Sequence, residues 1–194
     1  MHGRALCLQY TPTDSHFAKL LRYTTSAMYE LLVAISELLH STIAEVLFFL
    51  VCAGLFFFLL LQKRRDDAYI FLLSLITTLG FVVLVKYTLA TERPDAALVE
   101  ANGFAFPSGH ATAGMFLAVS FSYFFVRTVK EPRLRTLLTV LVFLIGLSIG
   151  LSRLLLLVHT PLQVAAGFLT AIIIPGGIYA LYRNKRKKRA SEQR

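Results

Sequence analysis

Residues 42–61 read TIAEVLFFLVCAGLFFFLLL, and Gln62-Lys63-Arg64-Arg65 follows directly. At a rise of 1.5 Å per residue such a run makes a helix about 30 Å long, the thickness of a bilayer's hydrocarbon core. Its single charged residue is Glu45, near the start, and a basic cluster closes it. The pattern is that of a membrane span stopped at a cytoplasmic surface. Four more apolar segments follow, at 68–89, 108–126, 134–158 and 161–182. The fourth span is longer than a bilayer requires, so its last turns are expected to leave the hydrocarbon region.

The basic residues orient these spans. Lys63, Arg64 and Arg65 follow the first, Arg127, Lys130, Arg133 and Arg135 lie between the third and fourth, and a polybasic tail from Arg183 to Arg194 follows the fifth. Five alternating spans put all of these on one side, which the positive-inside rule makes cytoplasmic. The expected fold class is therefore all-α, a polytopic transmembrane bundle of five spans. Residues 1–194 are read as one membrane-embedded domain, with an N-terminal region (1–41), a transmembrane core (42–182) and a basic tail (183–194). Within residues 17–40, apolar side chains recur at three- to four-residue spacing with Lys19, Arg22, Glu30, Glu37 and His40 largely between them. This predicts an amphipathic helix, either lying on the outer interface or capping the bundle.

Composition agrees. The chain has 194 residues, 56% hydrophobic and 16% charged, with a mean hydropathy of +0.66. Ordinary soluble domains are about a quarter charged, so disorder is excluded and a soluble globular domain is disfavoured. The net charge of +9 is explained by the cytoplasmic clusters and does not call for nucleic acid. Two cysteines, Cys7 in a polar stretch and Cys52 midway along an apolar one, do not make a disulfide framework. Small residues recur four apart at Gly114 and Ala118, Gly146 and Gly150, and Gly167 and Ala171, a spacing that lets helix backbones approach in lipid.

Outside the basic clusters and the N-terminal region, three cations remain: Lys86, Arg93 and Arg153, all near the outer ends of spans. His110 opens the third span and His159 precedes the fifth. Ionisable groups at membrane depth are functional candidates by default. Each taken singly is readily explained by snorkelling or chance, but five from different helices on one face are not. Three fixed cations suit a compact anion with several oxygens, Arg offering a planar fork and Lys a point charge. Ser108 is a natural N-cap, and Gly109 lets an oxyanion approach backbone N–H groups. Thr160 with Pro161 at the first helical position repeats the pattern beside His159. Helix N-termini are themselves anion sites. A phosphate pocket holding two histidines suggests nucleophilic attack by one and proton donation by the other, with the cations on the equatorial oxygens. No cofactor is called for. Glu92 and Asp95 are the carboxylates that a histidine-bound metal would have to recruit.

At these residues the chain resembles the type 2 phosphatidic acid phosphatase superfamily of membrane lipid phosphatases, which shares its signature with vanadium haloperoxidases and glucose-6-phosphatase. The first part of that signature stands as Lys86 to Arg93-Pro94, the second as Pro107-Ser108-Gly109-His110 and the third as Ser152-Arg153 to His159. The resemblance covers roughly residues 42–180. It implies a phosphate site made by Lys86, Arg93, Arg153, Ser108 and Gly109, with His159 as nucleophile and His110 as general acid. It also implies metal-independent hydrolysis of a lipid phosphate such as phosphatidic acid, phosphatidylglycerophosphate, a prenyl diphosphate or lipid A. The expected setting is a bacterial inner membrane with the site facing outward, membrane lipids and a lipid phosphate being the only partners implied.

One position departs from the signature. Gln163 stands where the family has an Asp that orients the nucleophilic histidine. Its oxygen can accept the imidazole proton but brings no negative charge. Three outcomes follow: a slow phosphatase, one rescued by another carboxylate such as Glu45 or Glu100, or a lipid-phosphate binding protein that has lost catalysis. The intact remainder of the signature favours a working enzyme.

Overall fold

Among the described residues five long helices follow one another: α1 (Thr42–Leu61), α2 (Arg65–Leu89), α3 (Gly109–Thr128), α4 (Pro132–Leu155) and α5 (Pro161–Glu192). They belong to a computed structural model that describes residues 42–94, 97–99 and 101–192, together with Glu30 and Ala34. All five are long and apolar enough to cross a membrane, and no strand occurs among the described residues. Of the amphipathic segment expected at 17–40, only Glu30 and Ala34 are described, both helical; Cys7, Lys19, Arg22, Asp95 and Glu100 lie outside the described residues.

The bundle is apolar on its outside. Phe57, Leu84, Leu137 and Ile173 are all at least 60% exposed, as befits side chains that face lipid. In the interior, α3 is the most deeply packed helix. Its Met115, Phe116 and Phe124 pack with Cys52 and Leu59 of α1, Phe71 of α2 and Ala171 of α5. The small-residue pairs are seams. A Cβ placed on Gly146 would stand 2.8 Å from the carbonyl oxygen of Gly114, so α3 and α4 touch backbone to backbone there. One on Gly150 would strike the Phe168 ring, bringing α5 into the same seam. Hydroxyls inside the spans are satisfied locally: Thr78, Ser122 and Thr170 each donate to the carbonyl four residues earlier.

The helix ends depart from the apolar runs in ways that charge and capping explain. α2 starts at Arg65 rather than at residue 68, because Asp66 and Asp67 in its first turn complement the helix dipole. Asp67 is only 3% exposed and pairs with Arg64 (2.8 Å) and Arg127. α4 starts two residues early, at Pro132, after the Glu131 carboxylate caps Arg133 N–H (3.0 Å). It ends at Leu155, three residues before the apolar run does, and Leu157 then takes a positive φ of 55°. α5 continues through the basic tail to Glu192, since Lys and Arg are good helix formers whatever their charge.

Alternation of the helices leaves two ends. One gathers the 90–108 connection and the short 156–160 connection. The other gathers residues 62–64 and 129–131 with the basic C-terminal turns of α5.

Candidate active site

Two helix starts face each other at the first of these ends. Ser108, fully buried, has the extended backbone of an N-cap, and its Oγ accepts from Ala111 N–H (3.5 Å). Thr160 begins α5 in the same manner: Gln163 N–H donates to Thr160 Oγ1 (3.4 Å), and Thr160 N–H donates to Gln163 Oε1 (3.0 Å). This reciprocal pair is a capping box, with Gln at the third helical position reaching back to the cap. The main chain joins the two starts, since Ser108 N–H donates to the Gln163 carbonyl (3.0 Å). That approach requires Gly167, where a Cβ would lie 2.6 Å from the Ser108 carbonyl oxygen.

The capping box settles the state of His159. A backbone N–H can only donate, so the Gln163 atom it meets is the amide oxygen. That oxygen also lies 3.0 Å from His159 Nδ1, which must therefore carry the ring proton. On the ring's far side, Nε2 lies 3.3 Å from an Arg93 nitrogen, again a group that can only donate. Both partners select the Nδ1–H tautomer and leave the Nε2 lone pair facing a guanidinium.

Arg93 is a staple between the two connections. Its guanidinium donates to the carbonyls of Asn102 (2.9 Å), Gly103 (3.1 Å) and Val158 (3.3 Å) as well as meeting His159. Leu98 N–H to the Leu156 carbonyl (3.0 Å) adds a main-chain tie between the same segments. Lys86 Nζ rises from α2 to the Phe104 carbonyl (2.5 Å). The Arg153 side chain is fully buried at the end of α4, where its Nε and one Nη donate to Ser152 Oγ (3.1 and 2.9 Å), and its carbonyl accepts from Val158 N–H. His110 enters from the first turn of α3, with Nε2 shielded from solvent.

Burial and charge act together on His159, which is 5% exposed. Desolvation depresses its pKa to about 4, and the positive charges of Arg93, Lys86 and Arg153 push the same way against the bond to Gln163. The imidazole is neutral at physiological pH. Desolvation also lowers Arg93 from the usual guanidinium range.

The structure thus brings Lys86, Arg93, Arg153, His159 and Gln163 to one place and ties Ser108 and Gly109 to it through Gln163. Glu45 is exposed in the first turn of α1, and Glu92 is exposed as well. Among the described residues, no three His, Cys, Asp or Glu side chains gather as a metal-binding set. Sequence reasoning missed the Thr160–Gln163 capping box, whose Thr-x-x-Gln spelling was available to find it. It also missed the buried Asp67 at the opposite end, hidden among charges read as topology signals.

The model of the PAP2 superfamily matches residues 67–187 of the chain, nearly two-thirds of its length, and takes in each element of this arrangement. The protein belongs to the PAP2 superfamily and is an integral membrane protein. Among solved structures it is similar to the crystal structure of a transmembrane PAP2-type phosphatidylglycerolphosphate phosphatase from Bacillus subtilis, with 22% identity over 89% of each chain and a TM-score of 0.65. That similarity is one of fold. No curated protein matches the sequence.

Proposed function

We propose that the protein is a lipid phosphate phosphatase acting through a phosphohistidine. The observation that carries this reading is the neutral His159, its Nε2 lone pair aimed at Arg93, with the half-buried Lys86 and the fully buried Arg153 adding to the positive charge around it. The ring is held for attack by Gln163. Nε2 attacks phosphorus, and the phosphorus–oxygen bond to the lipid breaks with its electron pair going to the leaving oxygen. His110, entering as imidazolium, gives that oxygen its proton. Arg93 turns from its carbonyls to the phosphoryl oxygens, joined by Lys86, Arg153, Ser108 and the Gly109 N–H. Water then attacks the phosphohistidine, His110 takes up its proton, and the phosphorus–nitrogen bond returns its pair to Nε2. Inorganic phosphate and a lipid alcohol leave, or a lipid monophosphate when the substrate is a diphosphate.

The cations that the chain supplies take the charge that a metal would otherwise carry, so the reading needs no cofactor. The substrate class is a lipid phosphate: phosphatidylglycerophosphate, phosphatidic acid, a prenyl diphosphate or lipid A. The basic clusters at the other end support an orientation in which the site faces the periplasm or exterior of a bacterial inner membrane.

The test is phosphate release by the purified protein in chelator across those four substrates. Turnover by the wild type, abolished in His159→Ala and strongly reduced in His110→Ala, is expected. Release unchanged from the wild type in both variants would overturn the reading. Tight substrate binding with no turnover would assign the site instead to lipid-phosphate binding, with the charge missing at Gln163 as the reason.

A further inference from the structure

The opposite end of the bundle holds a second cluster of charge that the phosphatase reaction does not use. A cavity of about 330 Å³ is lined by five cations, among them Arg64, Arg127 and Arg186, against the two carboxylates Asp66 and Asp67. Asp67 is already engaged: Arg64 and Arg127 hold one oxygen each, and Arg186 stands 3.8 Å away. The cavity therefore keeps a surplus of positive charge. The Tyr182 hydroxyl at its wall is buried and has no hydrogen-bond partner among the described residues, a donor with nothing to donate to. Such a hollow is complementary to a phosphate oxygen cluster.

Its neighbour shows what carries that phosphate. Asp66 and Tyr182 also line a groove of about 480 Å³ between α2 and α5. The groove walls are Ile70 and Leu73 on one side and Ile178 and Leu181 on the other, with Lys185 and Arg189 at the basic end. Leu73 and Leu181 are 51% and 72% exposed. A free anion has no use for an apolar trough, whereas a phospholipid has both parts. No histidine lines either hollow, so a phosphate held there meets no nucleophile of the kind used at the other end.

We propose that this end is a second lipid site, binding an anionic phospholipid without turnover: its phosphate in the Arg64–Arg127–Arg186 cavity and an acyl chain along the α2–α5 groove. The site lies on the surface that the basic clusters mark, and its occupancy is independent of whether the far end hydrolyses anything.

Native mass spectrometry of the full-length protein, released from micelles holding equal phosphatidylglycerol and phosphatidylcholine, tests this. The wild type is expected to keep phosphatidylglycerol at least about tenfold over phosphatidylcholine, since each basic residue near an anionic headgroup is worth about fivefold. The Lys185→Gln/Arg189→Gln double variant, changed only at exposed positions at the groove's basic end, is expected to lower the ratio several-fold with an unchanged thermal midpoint. Arg186→Gln, which takes a cation from the phosphate cavity itself, is expected to lower the ratio about fivefold, and His159→Ala to leave it intact. Parity in the wild type, or full preference in the basic-end variants, would overturn the proposal. So would loss of preference in His159→Ala, which would place the lipid at the other end. Complete displacement by excess inorganic phosphate would overturn it too, in favour of a free-anion site.

Discussion

His159 Nδ1 and Gln163 Oε1 lie 3.0 Å apart, and the same oxygen receives Thr160 N–H at 3.0 Å, so one amide both caps α5 and fixes the imidazole tautomer. It does the geometric half of an orienting carboxylate's work. The electrostatic half is missing, because an amide does not stabilise the positive charge that the ring gains as it bonds to phosphorus. Gln163→Asp is therefore expected to raise kcat by about tenfold, less than the roughly hundredfold or more that a complete acid–base partner contributes, because the amide already supplies the geometry. Gln163→Leu, which removes the acceptor, is expected to lower kcat by about a hundredfold. Phosphate release with saturating lipid phosphate reads both. A fall in Gln163→Asp would mean that the site relies on the amide's shape and not on charge.

The depressed pKa of His159 has two consequences for pH. Its imidazole accepts a proton only near pH 4, so kcat/KM is expected to hold through pH 6 and fall as pH drops toward about 4. Stability moves in the same direction. An unfolded histidine binds its proton near pH 6.5 while the native one does not until about 4, so protons favour the unfolded chain between those values. Above pH 6.5 the contribution is complete; it is lost progressively on acidification. Thermal midpoints in detergent should decline from pH 6.5 to 4, and less steeply in His159→Gln. A wild-type acid limb at pH 6 or above would contradict the burial argument.

The spans were legible because lipid exposure demands apolar side chains, and the positive clusters sorted their ends. Helix limits were less so, since apolarity reports contact with lipid and not helix continuity: α5 runs on through Arg183–Arg189 with no apolar signal. Lys86, Arg93, Ser108, His110, Arg153 and His159 were legible as candidates because polar residues at span ends have few other reasons to be there. The hold on Arg93 was not. It comes from the carbonyls of Asn102, Gly103 and Val158, and every residue has a carbonyl. Asp67 was overlooked for a related reason: its pairing with Arg127 joins residues 60 apart in sequence.

Those carbonyl contacts make Arg93 a test of structure and chemistry at once. Arg93→Lys keeps the charge but gives up the planar fork, which alone reaches both connections. The variant is expected to lose at least about 2 kcal/mol, near 1 kcal/mol for each of two or more hydrogen bonds. Its kcat/KM should fall by two or more decades, as the Nε2 lone pair loses its guanidinium and the phosphoryl oxygens lose a bidentate partner. Thermal midpoints beside steady-state kinetics separate the effects. A normal midpoint with normal kcat/KM would remove Arg93 from the site.

The close approach at Gly167 is the last relationship on which the site depends. A methyl group there would meet the Ser108 carbonyl at 2.6 Å, the Ala111 Cβ at 3.1 Å and the Thr112 Oγ1 at 3.1 Å, and the first of these is backbone that cannot swing aside. Gly167→Ala must then push the start of α5 away from Ser108, stretching the bond from Ser108 N–H to the Gln163 carbonyl and turning His159 relative to His110. Overpacking of this kind costs about 1–3 kcal/mol, and misplacing a reacting group by about 1 Å costs about a hundredfold in rate. Gly176 and Gly177, on the same helix, are the controls: an added methyl at either meets nothing within 4 Å. Alanine there should leave activity unchanged and gain up to about 1 kcal/mol from helix propensity. Equal effects at Gly167 and Gly177 would mean that helix propensity, and not the contact with Ser108, sets the outcome.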